Sequence, residues 1–418
     1  MNLHQDMLAV GMRAQSAARE LNRLNARKKN LILDAMADAL EAQHAAITAA
    51  NEKDLAEAKN AGLSAAMLDR LTLNEHRLQS MIKGLRDVAT LKDPIGTLIS
   101  QWIRPNGLKI VKRRVPIGVI CIIYESRPNV TADTAALCIK TSNAVILRGG
   151  KEAVHSNAAI AKALIEGGRQ KGLPEHAIQL IDTTDRNAVK ELVQLEGIID
   201  LVIPRGGETL IRAVAEHARV PVIKHYKGVC HVYVDADANL DMALAIVENA
   251  KCHRPGVCNA METLLVHEKV AAAFLPKFAT RMQTRKVEVR GDDAVRAIVT
   301  NAKPATEEDW SAEYLDLILA VRVVPSLDAA IDHINRYGTH LSDSIVTESE
   351  SAQKTFLHEV DSATVYVNAS TRFTDGGEFG MGAEIGISTE KLHARGPMGL
   401  EELTTYKYLI FGKGQVRQ

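Results

Sequence analysis

The segment 115–124, with the sequence VPIGVICIIY, is the most apolar stretch of the chain. Its apolar residues are continuous rather than alternating with polar ones, which is typical of a strand buried on both faces of a parallel sheet. The segment is far shorter than the roughly 18 residues that a membrane-spanning helix needs. It therefore predicts a buried strand of an α/β domain.

Short apolar runs and helical segments alternate after this stretch, which predicts a parallel sheet buried on both faces, in a nucleotide-binding type of α/β architecture. The runs of the first set, separated by helical segments such as 156–168 and 208–217, are Ala144–Arg148, Ala177–Ile181, Asp200–Ile203 and Val229–Val234. A second set predicts a second α/β domain and comprises Thr263–His267, Leu317–Val324, Ser344–Thr347 and Thr364–Asn368. Helices such as 327–336 separate the members of that set.

Two β-rich runs, 97–103 and 108–112, flank the turn Pro105-Asn106-Gly107. An Asn-Gly pair between two such runs is the strongest short-range signal for a hairpin, so an antiparallel hairpin is predicted here. The C-terminal run 402–410 is also β-like and predicts a strand that returns to pair with the hairpin. We interpret the hairpin and tail as an interface element.

The composition excludes several classes of protein. The 418 residues contain 51 Lys and Arg against 51 Asp and Glu, so the net charge is zero. Nucleic-acid and membrane-surface binders need an excess of basic residues, so neither partner is expected. No basic segment followed by an apolar stretch begins the chain, and a cytoplasmic location is expected.

Of the five cysteines, Cys258 is the candidate nucleophile. It lies in the turn Arg254–Ala260, RPGVCNA, between the helical run 240–252 and a predicted strand, where a substrate can reach a thiol. The alternative is that it is a small buried apolar residue, as expected for Cys121, Cys138, Cys230 and Cys252. An odd number of cysteines without a secretion signal indicates reduced thiols. The paired spacing of zinc ligands is missing, so no metal is predicted.

Two strand-to-helix turns carry residues suited to phosphate. Arg205, Gly206 and Gly207 follow one strand, and small residues there let backbone N–H groups approach an anion at the positive end of a helix. Arg148 and Lys151 follow another strand and place two cations where a 2′-phosphate would bind. Ordinary strand-to-helix turns and a solvated loop are the alternatives, and the G-x-G-x-x-G fingerprint is absent.

Polar residues also follow the opening strand, in the segment 124–129, YESRPN. Ligands of open α/β sheets bind beyond the carboxyl ends of the strands, which makes Arg127 and Asn129 candidates for substrate contact. A polar helix cap formed by Asn129 explains the same residues equally well.

Taken in order, these pieces resemble the aldehyde dehydrogenase superfamily, and within it the branch that reduces acyl phosphates. The resemblance covers nearly the whole chain. Its most specific stretches are 115–120, 124–131, 145–151, 254–259, 378–386 and 393–400. It implies a Rossmann-type cofactor-binding domain over residues 1–97 and 115–230 and an α/β catalytic domain over 231–385. The segments 98–114 and 386–418 are then the oligomerisation hairpin and tail.

The resemblance also implies roles for single residues. Cys258 is the nucleophile, and its N–H group and Asn129 form the oxyanion hole. Arg148 corresponds to a Lys that contacts the adenosine ribose. Lys151 replaces a ribose-binding Glu of NAD-preferring members, which favours NADP(H). Glu313 resembles the Glu that holds the nicotinamide ribose; an ordinary strand-edge carboxylate is the alternative.

One departure from the family pattern separates two reactions. Hydrolytic aldehyde dehydrogenases carry a Glu before Gly-Gly ahead of the nucleophile, whereas the segment 224–229 here is KHYKGV. Without that base, a thioester is left to phosphate rather than water. The resemblance thus implies NADPH-dependent reduction of L-glutamyl 5-phosphate to L-glutamate 5-semialdehyde, the second step of proline biosynthesis.

A hydrolysing NAD(P)-dependent semialdehyde dehydrogenase is the alternative enzyme, and a catalytically silent scaffold is the alternative from another class. Glu125, Arg127 and Arg372 are candidates to bind the substrate's amino and carboxylate groups. The expected partners are a second copy of the chain and glutamate 5-kinase, which makes the acyl phosphate.

Overall fold

The computed structural model describes residues 2–417, with the side chains of residues 65 and 66 excepted. The chain divides into two compact units. The first comprises residues 1–224, 380–386 and 398–418, and the second comprises 225–379 and 387–397. No helix among the described residues is both long and apolar enough to cross a membrane.

The described elements are fourteen α-helices, three short 3-10 turns and sixteen strands. The helices are α1 (Leu3–Leu21), α2 (Ala26–Ala42), α3 (His44–Asn60), α4 (Ala65–Leu71), α5 (Glu75–Thr90), α6 (Asn129–Lys140), α7 (Val154–Gln170), α8 (Asn187–Val193), α9 (Glu208–His217), α10 (Leu240–Cys252), α11 (Glu268–Thr284), α12 (Asp293–Ile298), α13 (Leu327–Tyr337) and α14 (Glu350–Glu359). The 3-10 turns are Lys151–Ala153, Glu307–Ser311 and Thr371–Phe373.

The strands are β1 (Leu98–Ile103), β2 (Lys109–Pro116), β3 (Val119–Tyr124), β4 (Ala144–Arg148), β5 (Ile178–Leu180), β6 (Leu201–Arg205), β7 (Cys230–Val234), β8 (Met261–His267), β9 (Glu288–Gly291), β10 (Lys303–Pro304), β11 (Ile318–Val324), β12 (Ser342–Val346), β13 (Thr364–Val367), β14 (Gly386–Ser388), β15 (Gly396–Met398) and β16 (Thr404–Phe411).

A parallel four-stranded sheet in the order β5-β4-β3-β6 forms the centre of the first unit. All residues of β3 and β4 are buried, as their continuous apolar runs predict. The opening run 115–124 is nevertheless not a single strand. It contains the end of β2 and the whole of β3, because Gly118 has φ +134°, outside the range of strand backbone.

Helices cover the sheet, and α2 packs against α5 and α7. The crossing of α2 and α7 is close, because a Cβ at Gly167 would lie 2.3 Å from the Ala35 carbonyl oxygen. Glycine is therefore required at this crossing if the two backbones are to keep their distance.

The predicted hairpin and returning tail are both confirmed. Strands β1 and β2 are antiparallel, and β16 pairs antiparallel with β2 from Thr404 opposite Pro116 to Phe411 opposite Lys109. The resulting three-stranded sheet exposes a set of large apolar side chains: Leu98, Ile99, Trp102, Ile103, Tyr406, Tyr408, Ile410 and Phe411.

The second unit contains a parallel seven-stranded sheet in the order β10-β9-β11-β8-β7-β12-β13. Apolar clusters pack on it, one around Phe274 and Phe278 and another around Phe356. The prediction that Val229–Val234 belongs to the first sheet is wrong, because β7 pairs with β8 and β12. The units accordingly divide at residues 224/225, whereas the sequence predicted a boundary at 230/231.

Candidate active site

Cys258 lies in the loop between α10 and β8 and is partly buried. Its side chain packs beside Cys230, Leu341 and Ile387. The Cys230 thiol donates a hydrogen bond of 3.3 Å to the Cys258 carbonyl oxygen. The backbone that carries the candidate nucleophile is therefore fixed from the sheet side.

The segment that precedes β7 packs closely against the same loop. A Cβ at Gly228 would lie 1.9 Å from the Cys258 carbonyl oxygen, so only glycine fits at this position. The Gly228 N–H group donates a hydrogen bond of 2.8 Å to Glu313 Oε1. Glu313 thus contacts the chain that supports Cys258, rather than standing as an isolated strand-edge carboxylate.

Asn259 fastens the other side of the loop to the turn 371–373. The Thr371 hydroxyl donates to the Asn259 carbonyl oxygen at 2.8 Å, and Asn259 Nδ2 donates to the Thr374 carbonyl oxygen at 2.7 Å. This turn carries Arg372, which is partly buried. Burial and the nearby charge of Arg254 lower the pKa of Arg372, while the Cys258 thiolate opposes that shift. Arg372 is therefore within electrostatic range of the thiol.

A buried ion pair supports the strand that follows Cys258. Lys251 Nζ lies 2.5 Å from Glu262 Oε2, and neither side chain is exposed. Glu262 Oε1 also accepts a hydrogen bond of 3.2 Å from the Leu315 N–H group. Leu315 has φ +53°, an uncommon conformation for a branched residue, and Glu262 helps to hold it there.

In the first unit, Glu125 lies at the turn between β6 and α9. Glu125 Oε2 accepts a hydrogen bond of 3.1 Å from the Gly207 N–H group, and a Cβ at Gly206 would lie 2.4 Å from the same oxygen. The Glu125 N–H group donates to the Arg205 carbonyl oxygen at 3.2 Å. The N–H group of Gly207, which the sequence offered to a phosphate, is therefore bonded to a carboxylate.

Asn129 is the first residue of α6, and the helix-cap interpretation of it is wrong. Pro128 occupies the cap position, whereas Asn129 Nδ2 donates to Asp133 Oδ2 at 2.9 Å. Burial raises the pKa of Asp133 to about 6, opposed by the Asn129 hydrogen bond and the charge of Arg205. Arg127 lies partly buried in the bend between β3 and α6.

Arg148 and Lys151 differ in what their side chains contact. Arg148 is buried at the end of β4 and donates to the carbonyl oxygens of Gly149, Thr184 and Asp185, the last two at 3.0 and 3.3 Å. Burial lowers its pKa. Lys151 is exposed at the start of the turn 151–153. Both cations were predicted to face an anion. Arg148 instead holds the 183–185 loop through its backbone carbonyl oxygens, whereas the Lys151 side chain is exposed.

Sequence reasoning did not find Asn259, Glu152 or the Lys251–Glu262 pair. Glu152 accepts hydrogen bonds of 2.6 and 2.8 Å from the backbone N–H and hydroxyl of Ser126, which has φ +45°. Glu262 had a visible signal, because an acid inside the apolar strand METLLVH needs a buried partner. No local pattern identified Asn259, Glu152 or Lys251.

Comparisons with known proteins agree with the architecture and with the motifs. The aldehyde dehydrogenase family model matches residues 4–308. A protein of Moorella thermoacetica named γ-glutamyl phosphate reductase is 59% identical over 418 residues, which is the whole of both chains. The chain belongs to the aldehyde dehydrogenase family, in its γ-glutamyl phosphate reductase branch. The resemblance drawn from the sequence motifs and the predicted fold class are thereby confirmed.

Solved structures of the aldehyde dehydrogenase family give the same result. The crystal structure of γ-glutamyl phosphate reductase from Thermotoga maritima has a TM-score of 0.97 and 48% identity, and the match covers 99% of this chain and 100% of that one. A glyceraldehyde-3-phosphate dehydrogenase from Methanocaldococcus jannaschii, solved in complex with NADP, has a TM-score of 0.68 at 16% identity over 98% of this chain and 95% of that one. This second likeness shows the fold alone. As a family member, the chain is an oxidoreductase, as predicted.

Proposed function

We propose that this chain reduces L-glutamyl 5-phosphate with NADPH to L-glutamate 5-semialdehyde and phosphate, the second step of proline biosynthesis. The observation that carries the proposal is the full-length identity of 53–59% to relatives named γ-glutamyl phosphate reductase. The fixed loop around Cys258 supports it, because a nucleophile must be held in one geometry to attack a bound carbonyl.

Cys258 is the proposed nucleophile. Its thiolate forms a bond to the γ-carbonyl carbon, the bond to the phosphate oxygen breaks, and phosphate leaves with the electron pair, which gives a thioester. NADPH, when bound, supplies the hydride that reduces this thioester. The Cys258–carbon bond then breaks, the thiolate is restored and the semialdehyde is released. The semialdehyde cyclises to pyrroline-5-carboxylate without further catalysis.

The oxyanion that forms at the carbonyl needs hydrogen-bond donors, each contributing about 3–4 kcal/mol when well placed. We propose the Cys258 N–H group for this role, and Asn129 as the second donor. Asp133 engages the Asn129 amide, but an amide nitrogen carries two N–H groups, which leaves one for a ligand.

The residues of the first unit fit a phosphorylated cofactor in part. Lys151 is an exposed cation at the end of β4 and suits a 2′-phosphate, whereas a carboxylate there would repel it. We propose that Arg205, Gly206 and Gly207 contribute to cofactor binding. We also propose that Arg148 shapes the 183–185 loop beside the cofactor. In the second unit, Glu313 is proposed to hold the nicotinamide ribose.

The reverse reaction tests the proposal most directly. With semialdehyde and NADP+ present, we expect NADPH to form only when inorganic phosphate is added, because phosphate must release the acyl group from Cys258. NAD+ is expected to support a slower reaction than NADP+. Turnover that is equally fast without phosphate would instead establish the hydrolysing semialdehyde dehydrogenase. The rate of NADPH formation is measured from its absorbance at saturating aldehyde. The control replaces phosphate with sulfate.

We also propose that two copies of the chain associate through the sheet β1-β2-β16. Its exposed large apolar residues lie on both faces of the sheet, with Trp102, Tyr408 and Ile410 on one face and Ile103 and Phe411 on the other. Exposed apolar surface of this kind is typical of an interface. Two further proposals are a cytoplasmic location and glutamate 5-kinase as a partner, because the acyl phosphate that it makes is labile.

Placing charges on one face of this sheet is expected to lower the molecular mass in solution. Ile103 and Phe411 are 72% and 56% exposed and share a face, because both are aligned with Lys109. The double variant Ile103→Lys/Phe411→Lys would bury two unpaired charges in an interface. Light scattering after gel filtration measures the mass. Leu357→Lys, at an exposed apolar position on α14, is the control. An unchanged mass of the double variant would show that this sheet is not the interface.

A further inference from the structure

Two guanidinium groups lie close to the candidate nucleophile in the second unit. Arg254 begins the loop that carries Cys258 and is exposed, whereas Arg372 is partly buried in the turn 371–373. The charges of Arg254 and of the Cys258 thiolate both act on Arg372. Arg254 stands four residues before Cys258 in the same loop, and the turn that carries Arg372 is hydrogen-bonded to Asn259, the residue after Cys258. The two cations and the thiol therefore form one cluster.

The position of Arg372 is fixed by contacts on both sides of its turn. Asn259 accepts from Thr371 and donates to Thr374, with distances of 2.8 and 2.7 Å. The Thr374 hydroxyl is also bonded to the Tyr366 hydroxyl at 2.8 Å and to the Ser342 hydroxyl. Because Asn259 directly follows Cys258, these bonds hold the turn that carries Arg372 against the nucleophile loop.

The electrostatics of the cluster are unfavourable without an anion. Burial and then the charge of Arg254 lower the pKa of Arg372, and Arg372 Nε is buried without a hydrogen-bond partner among the described residues. Asp375 is the acid within range, and its Oδ1 accepts from the N–H groups of Gly377 and Glu378 at 2.9 and 3.3 Å. The carboxylate that acts on Arg372 is thus already hydrogen-bonded to backbone N–H groups.

We propose that Arg254 and Arg372 form the subsite for the phosphoryl group of the acyl phosphate. The inference rests on the proposed function and adds its leaving-group site. A phosphate dianion matches two guanidinium groups, each of which offers paired N–H donors. When the thiolate attacks, the carbon–oxygen bond breaks and its electron pair moves onto the phosphate, so cations here stabilise the charge that develops.

The geometry favours the phosphate over the α-carboxylate of the same substrate. The phosphate is attached to the carbon that Cys258 attacks, whereas the α-carboxylate is separated from that carbon by the rest of the glutamyl chain. A cation within the field of the thiolate is therefore beside the leaving group. The α-carboxylate is also accompanied by an ammonium group, which leaves that end of the substrate with no net charge.

The reverse reaction separates the two assignments, because phosphate and the α-carboxylate then enter on different molecules. We expect Arg254→Met and Arg372→Met to raise the KM for phosphate by about 10- to 100-fold, as for a lost charge-assisted hydrogen bond. The KM for semialdehyde should change by less than about threefold. Arg372→Lys should rescue part of the loss. Arg296→Met removes an exposed Arg of the same unit and is the control.

Two kinetic outcomes, and a third from the binding measurement described below, would overturn the subsite. The first is an unchanged KM for phosphate in both variants while the wild type still requires phosphate. The second is a rise in the KM for semialdehyde instead, which would assign the pair to the carboxylate. If Arg372→Met does not fold, exposed Arg254→Met decides alone.

Phosphate binding without turnover keeps the test independent of the proposed reaction. In a Cys258→Ser background, inorganic phosphate should raise Tm, and adding Arg254→Met should remove that rise. No rise in the Cys258→Ser protein, or an equal rise in both, is the third overturning outcome. A phosphate-independent wild-type enzyme would defeat the proposed function, but the Tm measurement would still report on the subsite.

Discussion

Cys258→Ser and Cys258→Ala are expected to lower phosphate-dependent NADP+ reduction by about 10⁴-fold or more, because no other group can form the acyl intermediate. The remaining cysteines are poor substitutes. Burial raises the pKa of Cys121 to about 12, and burial also raises the pKa values of Cys138 and Cys230. Cys252 is partly buried on α10, and its pKa is raised as well.

Iodoacetamide labelling provides a second measurement of the same prediction. One thiol should react rapidly in the wild type, and NADPH or substrate should slow it. That rapid phase should disappear in Cys258→Ser and persist in Cys252→Ser, the matched control at a partly buried thiol. Normal activity of Cys258→Ser, or a rapid phase that depends on Cys252, would remove Cys258 from the mechanism. It would leave the silent-scaffold alternative or another nucleophile.

The order of most strands in the two parallel sheets was predictable because those strands are short, continuous apolar runs with helical patterns between them. Strands β9, β10, β14 and β15, which are short or polar, were not predicted. Helices α9 and α10 have the bounds that the sequence predicted. The sheet to which a strand belongs was harder to predict. β7 is buried on both faces like the strands of the first unit, and only its pairing with β8, the next strand, and with β12, much further along the chain, places it in the second unit.

The candidate site was predictable to a different degree at each residue. Cys258 was found because its loop carries a distinctive sequence. The contacts of Arg148 were not foreseen, because a cation at a strand end can either face an anion or fold back onto backbone carbonyls, and only packing decides. Asn259 and Glu152 have roles that exist only when distant segments meet, so no local pattern contains them.

The buried pair of Lys251 and Glu262 carries the other large expected effect, which is on stability. Both side chains are fully buried, and their nitrogen and oxygen atoms lie 2.5 Å apart. Burial lowers the pKa of Lys251 and raises the pKa of Glu262 to about 7, so burial opposes the charged form of each group, and their mutual attraction offsets part of that cost. We expect Lys251→Met to lower the free energy of unfolding by about 3–5 kcal/mol at pH 8, because it leaves a carboxylate buried alone.

The loss in Lys251→Met should depend on pH in a defined direction. Lys251 lowers the pKa of Glu262 in the wild type, so its removal raises that pKa above about 7. The variant therefore loses stability relative to the wild type as pH rises through and beyond 7, where the wild-type carboxylate is ionised beside Lys251. The variant should therefore be less destabilised at pH 5, where Glu262 is protonated, than at pH 8. Urea unfolding at the two pH values measures the difference.

The double variant Lys251→Met/Glu262→Gln should recover most of the stability, because no charge remains buried and the Gln carbonyl can still accept from the Leu315 N–H group. Lys354→Met, which breaks an exposed pair with Glu350, should change stability by less than about 0.5 kcal/mol. Equal stability of Lys251→Met and the wild type at both pH values would contradict the argument. A double variant that is stable but inactive would show that Glu262 also supports activity through the position of Leu315. Glu313 lies two residues before Leu315 and accepts a hydrogen bond from the N–H group of Gly228, which packs against the Cys258 loop.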